Sequence, residues 1–339
     1  MSTLEAGQRI DNYRIVREIG AGGMGAVYEA VHVISGQRVA LKVLAGDFQA
    51  QPALLQRFLN EARAASQINH PGIVKIYARG QLPGGMQWLA MEYLDGQTLA
   101  ARITDAAKDA GAALGASSFW IVGDIASALA AAHDTGVIHR DLKPANVMIV
   151  PDSAASTGER IKILDFGVAK LHSQQMTKRG TVLGTPSYMA LEQFKDAKQV
   201  DGRADVFSLG VIAYEMLTGK RPHRGHSHFE VMTARMMEAI VPLKQLVPAL
   251  PEELSTLVMR MLEREPEHRP AMSEVDAEVR RVLGLPPAAV SENPSSVENA
   301  RPLLSFSMPP SLAVSLNRSL DGAKILVPLE KGDVASRGT

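Results

Sequence analysis

Three stretches of this 339-residue chain hold residue types whose spacing suits phosphate chemistry. The first is Gly20-Ala21-Gly22-Gly23-Met24-Gly25-Ala26-Val27. Glycine lets backbone N–H groups approach a phosphate with no Cβ in the way, although a plain glycine hairpin would read the same. A dinucleotide site would need a helix after the glycines and an acidic residue about 20 positions on. Here Ala26 to Val31 follows and reads as a strand, so that alternative fails. The second stretch, Val39-Ala40-Leu41-Lys42, ends an alternating strand on a lysine. A phosphate-binding lysine needs a carboxylate to steady its flexible stem. Glu61, the only glutamate between Lys42 and Glu92, lies on a helical pattern that can deliver one. The third stretch is His139-Arg140-Asp141-Leu142-Lys143-Pro144-Ala145-Asn146, with Asp165-Phe166-Gly167 downstream. Taken singly, each of these aspartates reads equally as a turn or cap residue.

In this order the glycine loop, V-A-x-K, H-R-D-x-K-x-x-N and D-F-G resemble the eukaryotic-type protein kinase family over about residues 10–283. The strings NHPGIV, GTPSYM and ALEQ are closest to bacterial members of its serine/threonine group. The resemblance implies transfer of the γ-phosphate of ATP to serine or threonine hydroxyls of protein substrates. In that reading Asp141 orients the attacking hydroxyl and accepts its proton, while Lys143 reaches the γ-phosphate. Asn146 and Asp165 supply oxygen ligands to Mg2+, with Mn2+ as an alternative. Gly20, Ala21, Gly22, Gly23, Met24 and Gly25 would cover the phosphates, and Lys42 with Glu61 would hold them. Adenine would lie under Val27 and Ala40 and over Met148, with Met91 behind it and Glu92, Tyr93 and Leu94 along its edge.

The same resemblance makes Arg140 the anchor for a phosphorylated Thr177 or Thr181. Thr185 would join the substrate platform by contacting Asp141 and Lys143. Asp205 would brace the catalytic loop, and Arg269 would be the buried partner of Glu192. One departure stands out, because the family's A-P-E reads Ala190-Leu191-Glu192 and lacks the proline that stiffens this turn. A looser substrate platform is the expectation there. The competing readings are a pseudokinase, working as a scaffold or nucleotide-gated binding module, and a small-molecule phosphotransferase on a related fold. The first normally loses Lys42, Asp141 or Asp165, all present here; the second usually lacks GTPSYM and the Arg140-type switch.

Two kinds of element must position these residues. From Tyr13 to about Tyr93 the runs YRIVREI, AVYEAV, QRVALKVL, IVKIYARG and MQWLAMEYL read as strands. One helix interrupts them at 53–68, with Leu54, Leu55, Phe58, Leu59, Ala62 and Ala65 at three- and four-residue intervals. After Leu94 helical periods dominate, as in 119–133, 206–217 and 254–262. The expected fold is therefore α+β and bilobal: an extension at 1–9, a β-rich N-lobe at 10–91 with one key helix, and a larger, mainly α C-lobe at 92–283. Residues 284–339 are rich in Pro and Ser and read as a mostly disordered tail.

Composition narrows the classes further. Lysine plus arginine and aspartate plus glutamate each number 36, which gives no net field toward nucleic acid, and none is expected as a partner. With no cysteine there is no disulfide framework, thiolate metal site or thiol nucleophile. The N-terminus lacks a secretory pattern, residue 2 is Ser, and no apolar run reaches the roughly 18 residues of a membrane span. A cytoplasmic protein is the expectation. His223, His226 and His228 cluster, but a solvated loop is the favoured reading over a metal site. Oligomeric state is not legible in the sequence.

Overall fold

The two-residue period of a strand decides which side chains share a face. The computed structural model describes residues 4–22, 25–44, 65–82, 85–110, 113–166, 186–195, 200–225 and 227–285. In it β1 (Arg9–Ile10), β2 (Tyr13–Gly22), β3 (Gly25–His32), β4 (Arg38–Leu44), β5 (Ile76–Gln81) and β6 (Gln87–Glu92) form one antiparallel sheet, ordered β1-β2-β3-β4-β6-β5. Val39, Leu41 and Val43 of β4 pack with Ile15, Tyr28, Trp88 and Ala90 on one face. Ala40 and Leu44 pack with Val74, Leu89 and Met91 on the other. Lys42 shares the parity of Ala40 and Leu44, so alternation alone sends its stem toward that second face. Gly25 opens β3 at φ 142°, where an added Cβ would lie 1.9 Å from Val43 O. Only glycine permits so close an approach to β4.

Beyond Glu92 the chain is mainly helical, as the sequence reading expects. The helices are α1 (Leu99–Ala110), α2 (Trp120–Asp134), α3 (Glu192–Lys195), α4 (Arg203–Thr218), α5 (His228–Met237), α6 (Leu243–Leu246), α7 (Glu252–Met261) and α8 (Met272–Leu283). From Ala204 to Leu217 every residue of α4 except Glu215 is buried. A helix apolar on nearly all sides must form the axis of a core, and α2 and α8 pack together beside it. Their contact is close because residue 123 is glycine; a Cβ there would meet Val279 Cγ1 at 2.9 Å. A small antiparallel sheet, β7 (Gln97–Thr98), β8 (Val147–Pro151) and β9 (Glu159–Ile163), completes this lobe. Among the described residues no helix is long and apolar enough to cross a membrane.

Of the helix expected at 53–68, Ala65 is helical, residues 66–68 are a turn rather than helix, and residues 53–64 lie outside the described residues. The tail from residue 286 onward also lies outside them.

The segment entering β5 is sewn onto β9. Ile73 bridges Ile163 in parallel, Val74 N donates to Ile163 O at 3.1 Å, and Ile163 N donates to Gly72 O at 2.8 Å. His70 steadies this seam. Its Nδ1 accepts from Gly72 N at 3.0 Å, so Nε2 carries the proton and donates to Ser127 Oγ on α2 at 3.2 Å. Burial, followed by the charges of Arg160, Arg280 and Lys162, lowers the His70 pKa from 6.5 to about 4. Because the folded-state value is depressed, neutral His70 supports the fold fully above about 6.5, and that support is lost as pH falls toward about 4. His70→Gln should therefore flatten the acid limb of the melting temperature between those two pH values. Parallel acid limbs for variant and parent would show that another group controls it.

Candidate active site

The catalytic loop, residues 139–146, hangs from one buried carboxylate. Asp205, in the first turn of α4, is fully buried and accepts from His139 N at 2.8 Å and Arg140 N at 2.7 Å. His133 Nε2 at the end of α2 lies 2.9 Å from the same carboxylate. Arg140 has φ 65°, a conformation that a residue with a Cβ rarely adopts. Two short charge-assisted bonds offset that strain. His139 Nδ1 accepts from Asp141 N at 3.3 Å, which leaves Nε2–H to donate to Leu164 O at 2.9 Å. The ring also packs on Phe166 at a centroid distance of 4.9 Å.

Asp141 is placed by its neighbours. Its Oδ2 accepts from Lys143 Nζ at 2.8 Å and from Asn146 Nδ2 at 3.2 Å. Both bonds fall on Oδ2, so Oδ1 is the oxygen left to receive a hydroxyl proton. Asn146 Nδ2 also donates to Asp141 O at 2.9 Å, which turns the amide oxygen away as the atom available to a ligand. β8 begins immediately after Asn146 and β9 ends just before Leu164, and the two strands pair at Val147 and Ile163. Leu164 N donates to Asn146 O at 2.9 Å. The hairpin thereby brings Asn146 and Asp165 to one end of a sheet. Asp165, at φ 50°, accepts from Lys42 Nζ at 2.6 Å, joining the N-lobe sheet to this end.

One carboxylate and one amide oxygen fit a small hard cation that keeps its remaining sites for water and phosphate oxygens. Among the described residues no group of three or more His, Cys, Asp or Glu side chains comes together as a metal cage. The described partner of Lys42 is Asp165; Glu61, the partner expected from the sequence, lies outside the described residues, as do Gly23, Met24, Thr177, Thr181 and Thr185. Val27, Ala40, Met91 and Leu94 gather in one apolar cluster with Leu164. Met148 stands apart on β8, beside Thr98 and Lys162 in register. The Glu92 amide donates to Lys75 O at 2.8 Å, so it is engaged, and its carboxylate takes Lys162 Nζ at 2.8 Å. A ligand edge here must find its donor at Tyr93 or Leu94.

The platform beyond the loop is held by Gln193, Tyr188 and Ser208, which local sequence reading missed, and by the expected pair of Arg269 with Glu192. Gln193 donates to Arg140 O at 2.7 Å and accepts from Ala190 N at 2.9 Å, tying the Ala190-Leu191-Glu192 turn to the catalytic loop. Tyr188 OH donates to Glu215 Oε2 at 2.6 Å, and burial holds its phenol far above the ordinary pKa, so it stays a donor. Ser208 Oγ donates to Tyr188 O at 2.8 Å. Arg269 meets Glu192 at 2.5 and 3.2 Å and uses its other donors on the carbonyls of Arg203, Glu263 and Arg264. The histidine cluster is not a solvated loop at His223, whose ring is 5% exposed with Nε2 donating to Glu238 O at 3.3 Å. His226 lies outside the described residues.

The chain is similar to known proteins over most of its length. The protein kinase domain family matches residues 13–278. The serine/threonine-protein kinase Pkn1 of Myxococcus xanthus is 40% identical over 266 residues, covering 78% of this chain and 37% of that protein. PknB of Mycobacterium leprae, also a serine/threonine-protein kinase, is 36% identical over 286 residues, covering 82% and 44%. This chain thus spans less than half the length of either relative. Among solved structures, the PknI kinase domain of Mycobacterium tuberculosis superposes with a TM-score of 0.64 at 28% identity, covering 84% of this chain and all of that one.

Asp205→Asn tests the brace. An amide cannot accept on both sides, so one loop N–H is left facing a donor inside the core, and unfolding free energy should fall by roughly 2–4 kcal/mol. Denaturant unfolding measures this; an unchanged midpoint with unchanged slope would remove Asp205 from that role.

Proposed function

Because this chain belongs to the protein kinase domain family, we propose that it is an active serine/threonine protein kinase that uses ATP with Mg2+ or Mn2+ and acts on protein substrates. The observation that carries this reading is the Asp141 carboxylate, fixed through Oδ2 by Lys143 and Asn146 with Oδ1 left for a hydroxyl. Phosphoryl transfer asks little covalent chemistry of the protein, so positioning and neutralisation of developing charge are its main contributions. Asp141 orients the incoming hydroxyl and takes its proton. Lys143, 2.8 Å from that carboxylate, is within reach of the group being transferred. Lys42 is already poised at the phosphate end of the cleft through its contact with Asp165. Asn146 Oδ1 and the Asp165 carboxylate would hold the divalent cation, whose chemistry is to screen phosphate charge. Leu94 is the candidate donor to the adenine edge, with Val27, Ala40, Met91 and Met148 as the walls.

We read 10–283 as the kinase domain, with 1–9 and 284–339 as flanking segments, and the family match at 13–278 lies inside those limits. A cytoplasmic setting suits a cysteine-free chain that draws on ATP. Regulation by loop phosphorylation is supported by Arg140, whose Nε is buried with no hydrogen-bond partner among the described residues. Such a group invites an acceptor, and a phosphate on Thr177 or Thr181 would supply one.

Two experiments separate this from a pseudokinase scaffold. The chain is incubated with Mg-ATP and a generic basic protein, and phosphosites are mapped by mass spectrometry. Asp141→Asn should keep nucleotide binding and lose about 100- to 10,000-fold in transfer rate; near-parental turnover would exclude Asp141 as the base. In the second, Thr177→Ala with Thr181→Ala should lower turnover severalfold with little change in melting temperature. Adding Arg140→Ala should then change activity little, since phosphate and arginine act through one contact. Full activity of the double threonine variant would leave Arg140 a structural residue only.

A further inference from the structure

We propose that Gln193 is a positioning residue for the transfer step. One end of its side-chain amide sets the peptide plane in front of Asp141, and the other end sets the turn of the substrate platform. The base and the surface that presents its hydroxyl are thereby held in register. The role rests on Asp141 acting as the base, as proposed above. Gln193 Nε2 donates to Arg140 O at 2.7 Å, and that oxygen belongs to the same peptide unit as Asp141 N. On the opposite edge of the unit, Asp141 N donates to His139 Nδ1 at 3.3 Å. One unit earlier, Arg140 N is fixed on buried Asp205 at 2.7 Å. A planar peptide gripped at both edges has little freedom to rotate. The direction in which Asp141 leaves the backbone is therefore set before Lys143 and Asn146 bond to its carboxylate. Arg140 at φ 65° is strained, and loss of the Gln193 bond would let this unit relax away from that conformation.

The other end of the amide is equally committed. Gln193 Oε1 accepts from Ala190 N at 2.9 Å, while Gln193 N donates to Ala190 O at 3.1 Å, closing a two-bond ring like the glutamine half of a capping box. Ala190 is fully buried, so its N–H has no water to turn to in place of Gln193. Leu191 adds no polar side-chain atom to the turn; its side chain lines a neighbouring C-lobe cavity of about 340 Å³ with Phe207 and Met259. Part of the missing proline's task thus falls to Gln193. Only an amide serves both ends. An ionised carboxylate accepts from Ala190 N but opposes the Arg140 carbonyl, and an apolar chain of similar length bonds to neither. Ser187 O and Tyr188 O are held separately, by Arg235 and Ser208, so that part of the platform keeps its bonds when Gln193 is changed.

The test uses the full chain with Mg-ATP and a generic basic protein, with initial rates taken well below each variant's melting temperature. A fluorescent ADP analogue reports nucleotide affinity, and amide hydrogen exchange reports residues 139–146. Gln193→Glu and Gln193→Met should each lower kcat about 10- to 100-fold, the scale of a misplaced reacting group, with nucleotide affinity unchanged. Exchange over 139–146 should quicken in both. Leu191→Pro, added to Gln193→Met, should stiffen the turn without restoring kcat, because proline makes no bond to Arg140 O. If Gln193→Met does not fold, Gln193→Glu, which keeps the acceptor for Ala190 N, decides alone. Parental kcat in Gln193→Glu, or recovery through Leu191→Pro, would reduce Gln193 to a cap of its own turn and overturn the proposal. In an active parent, unchanged exchange in Gln193→Glu would overturn it as well. A parent that transfers no phosphate would instead overturn the kinase reading, and the role of Gln193 with it.

Discussion

The structure turns on a single carboxylate with no access to water. Asp205 projects from the most buried helix of the molecule and accepts two successive backbone N–H groups from the catalytic loop. A buried anion is costly unless it is fully hydrogen-bonded, so the interaction works in both directions. The loop must bring His139 N and Arg140 N to it, and Arg140 must accept a left-handed backbone to do so. That backbone reversal points the Arg140 carbonyl at Gln193 and sends the chain on toward Asp141. Catalytic geometry here is a consequence of how one charge was desolvated.

From that anchor the remaining chemistry follows by strand arithmetic. Asn146 and Asp165 are 19 positions apart in the chain, yet β8 and β9 pair Val147 with Ile163 and so return the second residue to the first. Alternation along β4 delivers Lys42 to the same place from the other lobe, where it meets Asp165 at 2.6 Å. Lys42 thus stands within a strand, and Asn146 and Asp165 stand beside strand ends. Rigid elements hold such groups more accurately than free loops can. The seam of Gly72, Ile73 and Val74 on Ile163 fixes β9 one step before this point.

The strands and long helices were legible because their patterns are local. Alternation in Arg38–Leu44 and threefold or fourfold spacing in Trp120–Asp134 each specify a face without reference to distant residues. The motif residues were legible through resemblance, which names Asp141 and Asn146 and leaves their hydrogen bonds unstated. What could not be read were side-chain bonds to remote backbone atoms. Gln193 reaching Arg140 O spans 53 positions, Ser208 reaching Tyr188 O spans 20, and Arg235 reaching Ser187 O spans 48. A glutamine or arginine on a helix reads as surface until the fold shows a carbonyl beside it. His223 misled for the same reason, since a polar string such as His-Arg-Gly-His suggests solvent and only tertiary packing buries its first ring.

The substitution of leucine for proline at position 191 can be weighed on the same terms. Proline would restrict φ and remove one donor, a local effect worth about 0.4–1 kcal/mol through the unfolded chain. The residues on either side are fixed by longer-range bonds. Ala190 N is held by the Gln193 side chain, and Glu192 is gripped by a fully buried Arg269 whose five N–H groups all have acceptors. Charge-assisted bonds of that kind exceed the proline's contribution individually. The turn is clamped from both ends by residues that the substitution leaves untouched. Leucine at this position therefore changes the wall of the neighbouring cavity more than it changes the rigidity of the platform.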